Sequence, residues 1–251
     1  MMFHKLLSIP FYHTLRNVLL LILLLLFSVN VFSQMPIKIG TSGNSGSLWV
    51  GAFAGPSLLV EKAPDTLFPE LQDYFNNLRS GRHYGLETEY FFNKYIGIGA
   101  KYVNFKTKQE VDSLVVKFFS TVLYIDLSNE MTIHTLTPMV YGRLPLLDDK
   151  LSITAGIGPA WLLYRNIGKA VGDTAMFKGS SPGLSTSLRV TYEVIQNINI
   201  SVQTNYIHAF LKEFTQDNGT NEEVIVLEEK DYQNISRVDF SFGIYYTFRR
   251  K

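Results

Sequence analysis

The sequence predicts an all-β fold: a closed antiparallel transmembrane β-barrel of eight strands in a meander, with ten strands as the alternative. Three observations predict it. Segments of roughly 11 to 15 residues alternate apolar with polar or small side chains, the period of a half-buried strand. Their connections alternate between short and long. An export signal precedes them.

The export signal comes first. Lys5 and Arg16 are the only formal charges in residues 1–33, and Val18 to Phe27 reads VLLLILLLLF. That core is too short for a spanning helix, which needs about 20 residues, so the segment reads as a signal peptide cleaved after Ser33. Residues 34–46, rich in Gly and Ser, read as a flexible periplasmic lead-in, and 47–251 as the barrel domain.

Charge and cysteine content narrow the function. Lys plus Arg total 23 and Asp plus Glu 22, so net charge gives no support to nucleic-acid binding. The 251 residues contain no cysteine, which excludes disulfides, thiol catalysis, Cys-ligated zinc and a lipid anchor at Cys.

The strands follow in order. One lies near Trp49 to Leu58, with faces not assigned. Tyr84, Leu86, Thr88, Tyr90 and Phe92 share one face against Gly85, Glu87 and Glu89. Ile96, Ile98, Ala100 and Tyr102 oppose Gly97, Gly99 and Lys101. A strand from about Met131 to Leu144 again has unassigned faces. Leu151 to Leu163 sets Ile153, Ile157 and Trp161 against Ser152, Thr154 and Gly156. Leu184 to Val194 sets Leu188, Val190 and Tyr192 against Ser187, Arg189 and Glu193; Ile198 to Tyr206 sets Ile200 and Val202 against Asn199, Ser201 and Gln203. The last strand is the most regular: Val238, Phe240, Phe242, Ile244, Tyr246 and Phe248 against Arg237, Asp239, Ser241, Gly243, Tyr245 and Thr247.

Asn93 to Tyr95, Pro145 to Lys150 and Gln196-Asn197 read as short turns. Glu61 to Gly81, Thr107 to Glu130, Arg165 to Pro182 and Glu213 to Gln233 read as long loops, with no convincing amphipathic helix. Short periplasmic turns and long extracellular loops are the outer-membrane barrel arrangement. Closure follows from hydrocarbon's inability to hydrogen-bond a sheet edge, where each unsatisfied group costs several kcal/mol. The apolar run from Val111 to Leu127 reads as an extended hairpin, a contact surface or an extra strand pair.

The alternating loops and the end FSFGIYYTFRRK make the chain, over roughly Leu48 to Phe248, similar to the small outer-membrane β-barrel proteins of Bacteroidota, the PorT-like or outer-membrane-protein β-barrel group. The resemblance implies recognition of the final strand by the outer-membrane assembly machinery, with Phe248 as the terminal aromatic. Arg249-Arg250-Lys251 beyond it departs from that pattern. It also allows a secretion-associated role.

Two sets of site residues follow. Glu87, Glu89, Lys101, Arg189, Glu193, Arg237 and Asp239 share the polar face and are expected to form a lumen network of paired charges, since an eight-stranded interior is just filled by side chains. Tyr84, Tyr90, Phe92, Trp161, Tyr192, Tyr206, Phe240, Phe242, Tyr246 and Phe248 are expected to face lipid, with Tyr95 and Tyr245 joining the aromatic girdle. His83, His134 and His208 are expected at the extracellular rim without converging, so no catalytic residue, metal or cofactor is assigned. Glu87 and Glu89 have glycosidase-like spacing but no cleft.

The expected function is an integral outer-membrane barrel without catalysis: structural, binding through surface loops, passing small solutes or secretion-associated. Its expected partners are outer-membrane lipids and lipopolysaccharide and the assembly machinery, with no nucleic acid. A lipid-modifying enzyme using a rim histidine and a secreted barrel binding an apolar ligand are the alternatives.

Overall fold

Trp49, Gly51 and Phe53 alternate with Val50, Ala52 and Ala54, and only an extended chain sends neighbouring side chains to opposite faces. In the computed structural model, which describes residues 46–61, 69–118, 121–170, 173–217, 219 and 221–249, this segment is β1 (Ser47–Leu59). It is followed by α1 (Pro69–Leu78), β2 (Ser80–Phe91), β3 (Ile96–Phe118), β4 (Thr121–Leu146), β5 (Leu151–Ala170), β6 (Asp173–Ile195) and β7 (Ile198–Leu211). Then come β8 (Glu213–Asp217), β9 (Glu222–Val226), a 3₁₀ turn (Glu229–Asp231), β10 (Gln233–Asn234) and β11 (Arg237–Arg249). The expected signal peptide, its cleavage point, all but the last residue of the lead-in and the final Arg250-Lys251 lie outside the described residues.

Strands β1 to β7 pair antiparallel in sequence order, and β11 pairs with both β7 and β1, which closes a ring of eight. Register partners of Ala54 lead through Tyr84, Asn104, His134 and Leu163 to Ser180 on β6 one way round, and through Phe242 and Val202 to Val190 the other way, a shift of ten residues per circuit. For eight strands this staggering corresponds to a tilt of about 40°.

The ladder skips twice without shifting. On the β1–β11 seam pairing lapses at Gly55 and Pro56, between Ala54↔Phe242 and Ser57↔Asp239. On the β4–β5 seam it lapses between Leu136↔Trp161 and Val140↔Ile157, where Pro138 and Pro159 stand opposite each other and neither has an N–H to donate. Gly158 fits there because a Cβ would lie 1.9 Å from the Pro138 carbonyl oxygen.

The turns are tight, as the sequence indicates. Asn93 Oδ1 accepts from the amides of Tyr95 and Ile96 at 2.8 and 2.9 Å, a side chain standing in for a backbone turn. Asp148, Asp149 and Asn197 take positive φ, which short polar side chains tolerate. The second turn begins later than expected, at Leu147, because β4 runs on to Leu146.

Two expectations about the long connections are corrected. Thr107–Glu130 and Arg165–Pro182 are mostly strand: β3, β4, β5 and β6 run 23, 26, 20 and 23 residues, against 13, 12, 14 and 13 for β1, β2, β7 and β11. Beyond the bilayer neither face of a hairpin is sorted by lipid, so the apolar–polar period fades while the hydrogen-bonded ladder continues. The segment Val111 to Leu127 lies in this extension, with the β3–β4 register irregular between Val111 and Leu114.

The connection Glu61–Gly81 contains a helix that the sequence reading missed. Pro69 stands at its first position, where a missing N–H costs nothing. Leu71, Tyr74, Phe75 and Leu78 have the i, i+3, i+4, i+7 spacing of one helix face, and Tyr74 and Leu78 are buried. Thr107 Oγ1 lies 2.9 and 2.8 Å from the carbonyls of Leu78 and Ser80, which share its one proton, and Tyr74 Oη donates to the carbonyl of Gln109 at 3.3 Å.

Candidate functional site in the barrel lumen

Period-two alternation decides which side chains enter the ring. The inward set is stacked in layers. At the end that carries the short turns Trp49, Phe91, Met139, Tyr141 and Tyr245 form an apolar floor, and the Arg143 guanidinium lies 4.5 Å from the centre of the Trp49 ring.

Above it is a dense polar layer centred on two carboxylates from β2. Glu87 accepts from Tyr141 Oη at 2.5 Å, Tyr245 Oη at 2.7 Å and Arg189 Nη1 at 3.1 Å, with Lys101 Nζ at 3.3 Å. Glu89, fully enclosed, takes both guanidinium nitrogens of Arg189, Nη2 at 2.6 Å. The forked pair is the strong form of this contact, charge-assisted and bidentate. β2 and β6 lie diametrically opposite in the ring of eight, so Arg189 bridges the full width of the lumen.

A second polar layer lies nearer the extracellular side. Ser57 Oγ donates to Asp239 Oδ1 at 2.6 Å and lies 2.7 Å from His83 Nδ1, while His83 Nε2 lies 2.5 Å from Ser241 Oγ. Ser57 has one proton and spends it on Asp239, so His83 Nδ1–H donates to Ser57. Arg237 Nε donates to Asp239 at 3.2 Å, and Nη2 reaches Thr135 on the opposite strand β4 at 3.0 Å.

Among the described residues, three carboxylates and three cations are enclosed at 3% exposure or less, Glu87, Glu89 and Asp239 with Lys101, Arg189 and Arg237, while Arg143 stands half-buried at the floor. Equal numbers matter because an unpaired charge in such a site is strongly destabilising.

The extracellular end is closed by an apolar ceiling of Leu59, Leu78 from α1, Phe105, Met131, Ile133, Leu162, Ile207, Leu211 and Ile235 among others. The charged layers therefore occupy only the middle of the lumen: its two ends are apolar, because above and below them close-packed hydrocarbon fills a narrow cylinder at least cost.

Six of the seven charged positions named for the lumen lie inside it. The seventh, Glu193, continues the inward face of β6 below Arg189 and Thr191; half-buried near the β6–β7 turn, it accepts from the Asn197 amide at 2.8 Å.

Trp161, Tyr84, Tyr90, Phe92, Tyr192, Tyr206, Phe240, Phe242, Tyr246 and Phe248 all point out of the ring and are exposed. Tyr245 is a correction. It lies fully buried in the floor, because it occupies the Arg237–Asp239 face of β11. Tyr95 is half-buried in its turn, with Lys94 Nζ 5.0 Å from its ring centre.

The histidines stand apart. His83 is not a rim residue: 1% exposed, it is locked in the upper polar layer. His134 points outward, with Nδ1 2.7 Å from Tyr102 Oη, and His208 outward on β7. Among the described residues no three His, Asp or Glu side chains gather where a metal could sit. Glu87 and Glu89 are enclosed together with Arg189, which leaves no room for a sugar between them.

No protein-family model matches the chain, and no curated protein matches it. Solved structures do. A major outer membrane protein from Thermus thermophilus is 12% identical, with a TM-score of 0.54, over 81% of this chain and 100% of that one. The attachment invasion locus protein Ail of Yersinia pestis is 10% identical at a TM-score of 0.43, over 82% and 100% of the two chains. OprG from Pseudomonas aeruginosa is 13% identical at 0.44, over 82% and 97%. The likeness to the Thermus protein is one of fold, a small outer-membrane β-barrel.

Proposed function

We propose that the chain is an integral outer-membrane β-barrel without catalysis, whose lumen is a structural plug and whose contacts with other molecules are made by its outer wall and extracellular extensions. The observation that carries this is the inversion of the usual inside-out rule. Large apolar side chains such as Phe242, 72% exposed, ring the outside, while Glu89 and Arg237, 0% exposed, are inside. On β1 the outward apolar set spans ten residue-to-residue steps from Leu48 to Leu58. At about 3.3 Å per residue and a tilt of about 40° this is a band of about 25 Å, the height of an outer-membrane barrel's lipid-facing surface.

Axial passage of solutes is the weaker reading, since a path would have to cross both cross-lumen bridges and the apolar ceiling. A lipid-modifying role for a rim histidine is weaker still, since His83 is enclosed and His134 and His208 stand on β4 and β7 with Tyr102 and Tyr206 beside them. Cleaved export, which rests on the basic start and apolar core of residues 1–33, belongs to the same reading, as do handling of β11 by the assembly machinery and membership of the PorT-like group, which rest on sequence resemblance alone.

Unboiled protein should run faster on a denaturing gel than boiled protein and resist carbonate extraction from membranes. Reconstituted in planar bilayers it should carry no sustained single-channel current. Loss of the gel shift together with carbonate solubility would sink the membrane barrel; steady conductance would sink the plug.

A further inference from the structure

The outer wall carries a feature visible only once the register is known. Arg82 on β2 pairs with Lys106 on β3, Lys106 with Thr132 on β4, Thr132 with Arg165 on β5, and Arg165 with Lys178 on β6. These five residues, scattered over nearly a hundred positions of sequence, form one outward-facing row across five adjacent strands, with four cations and no acid. Two positions below on each strand are Tyr84, Asn104, His134, Leu163 and Ser180; two further below are Leu86, Tyr102, Leu136, Trp161 and Pro182. The order outward from the bilayer is therefore apolar and aromatic, then mixed, then basic.

Depth places the row. Arg82 lies opposite Pro56 on β1, two residues short of the outer limit of the apolar band at Leu58. With strands about 4.8 Å apart and tilted about 40°, the row climbs about 3 Å per strand. It starts at the edge of the hydrocarbon at Arg82 and rises along the tall wall to Lys178. Its charges face sideways, over the lipid, not upward into the medium.

Acidic side chains neutralise it only in part. Lys106 Nζ is 2.5 Å from Glu130, and Lys178 Nζ is 3.9 Å from both Asp217 and Glu222. Arg82 and Arg165 make no salt bridge among the described residues. Two guanidiniums on strands three apart, spaced about 14 Å, are suited to bidentate contacts with phosphate oxygens.

Resting on the outer-membrane reading, we propose that this row is a binding site for an outer-leaflet glycolipid bearing phosphates on its sugar headgroup. Arg82 and Arg165 take the phosphates, Lys106 supports them, and the acyl chains lie along Leu86, Leu136 and Trp161 below. The amphiphile matches the wall in both respects: anionic where the row is basic, hydrocarbon where the rows beneath are apolar.

The test uses the full protein and Arg82→Gln/Arg165→Gln in detergent micelles, titrated with bisphosphorylated lipid A and with the same lipid dephosphorylated, and read by native mass spectrometry. The wild type should retain the phosphorylated lipid about tenfold better than the double variant, with the advantage shrinking as salt rises. The dephosphorylated lipid should not discriminate between them, and Arg82→Lys/Arg165→Lys should recover part of the difference. Equal retention by wild type and double variant, or displacement of the lipid by millimolar pyrophosphate alone, would overturn the site. The gel shift is the separate control. A shift preserved in both proteins with no lipid discrimination rejects the glycolipid site and leaves the membrane barrel standing; no shift in the wild type rejects the barrel itself.

Discussion

Arg189 and Leu162 both point into the same narrow cylinder and both are enclosed, yet their layers are held by opposite means. The lower layer around Arg189 is a set of directed contacts across the ring, in which Glu87 has four partners and Glu89 is gripped by a fork. The upper layer around Leu162 is non-directional packing of Phe105, Ile133, Ile207 and Leu211, roofed by α1. The difference teaches what each layer is for. A ring of polar contacts between opposite strands fixes which strands face one another and at what stagger, because a one-residue slip turns every inward charge out into lipid. An apolar plug has no such preference, but it seals the end from water and anchors α1. Register is therefore specified in the membrane, closure at the surface.

The largest effect expected on this comparison is from Arg189→Ala. It leaves Glu87 with only Lys101 as a cation and Glu89 with none, and should cost about 3–5 kcal/mol, read as a lower midpoint of denaturant unfolding in micelles and a lower temperature at which the fast gel band disappears. Replacing Glu89 by Gln in that background should recover part of the loss; no recovery would mean that the layer acts by volume, not by charge.

Leu162→Ala tests the ceiling. It should cost about 2–5 kcal/mol, the usual range for a cavity at a buried leucine, but with no dependence on salt or partner residues. If it also opened a conductance, the ceiling would be the seal of the lumen as well as a packing layer.

Phe242→Arg extends the comparison to the outer wall near the middle of the apolar band and should cost about 2–4 kcal/mol, while Phe242→Ala should be nearly silent because lipid fills the space. Similar costs for both would mean that Phe242 packs against protein. A smaller loss, about 1–3 kcal/mol, is expected for Ser57→Ala, which strips Asp239 of a donor and His83 of its acceptor.

The smallest effect lies above the membrane. The hydrogen bond from Lys106 holds the Glu130 carboxyl below its ordinary 4.5. A carboxyl depressed in the folded state adds stability above 4.5 and loses it as pH falls through the depressed value. Both side chains are largely exposed, so solvent screens the pair. The tall β3–β4 hairpin should loosen slightly in acid, visible as faster amide exchange near Lys106, and Glu130→Gln should abolish that dependence.

The strands of the membrane band were legible because lipid enforces a strict period of two, and Val238 to Phe248 shows it without interruption. β1 and β4 were harder because Trp49, Phe53, Met139 and Tyr141 are apolar yet inward, filling the floor and the gaps left by Gly85 and Gly156, so both faces look greasy. The helix was overlooked although Leu71, Tyr74, Phe75 and Leu78 spell one face of it, because ten residues within a polar connection carry little weight beside strands. Tyr245 was assigned to the girdle for its level at the strand end, although alternation puts it on the inward face with Arg237 and Asp239. Period tells which face a residue is on, but not the level at which it stands or what waits for it across the ring.

By itself the sequence determined the class of fold and which side of each regular strand meets lipid, since those follow from alternation and from the rule that no edge can stay open in hydrocarbon; that the ring holds eight strands and not ten was settled by the pairing. Only the tertiary structure decided which charges meet, how the lumen divides into floor, polar layers and ceiling, and that Arg82, Lys106, Arg165 and Lys178 stand in one row. Those facts depend on the stagger of ten residues around the ring, a property of closure that no single strand carries.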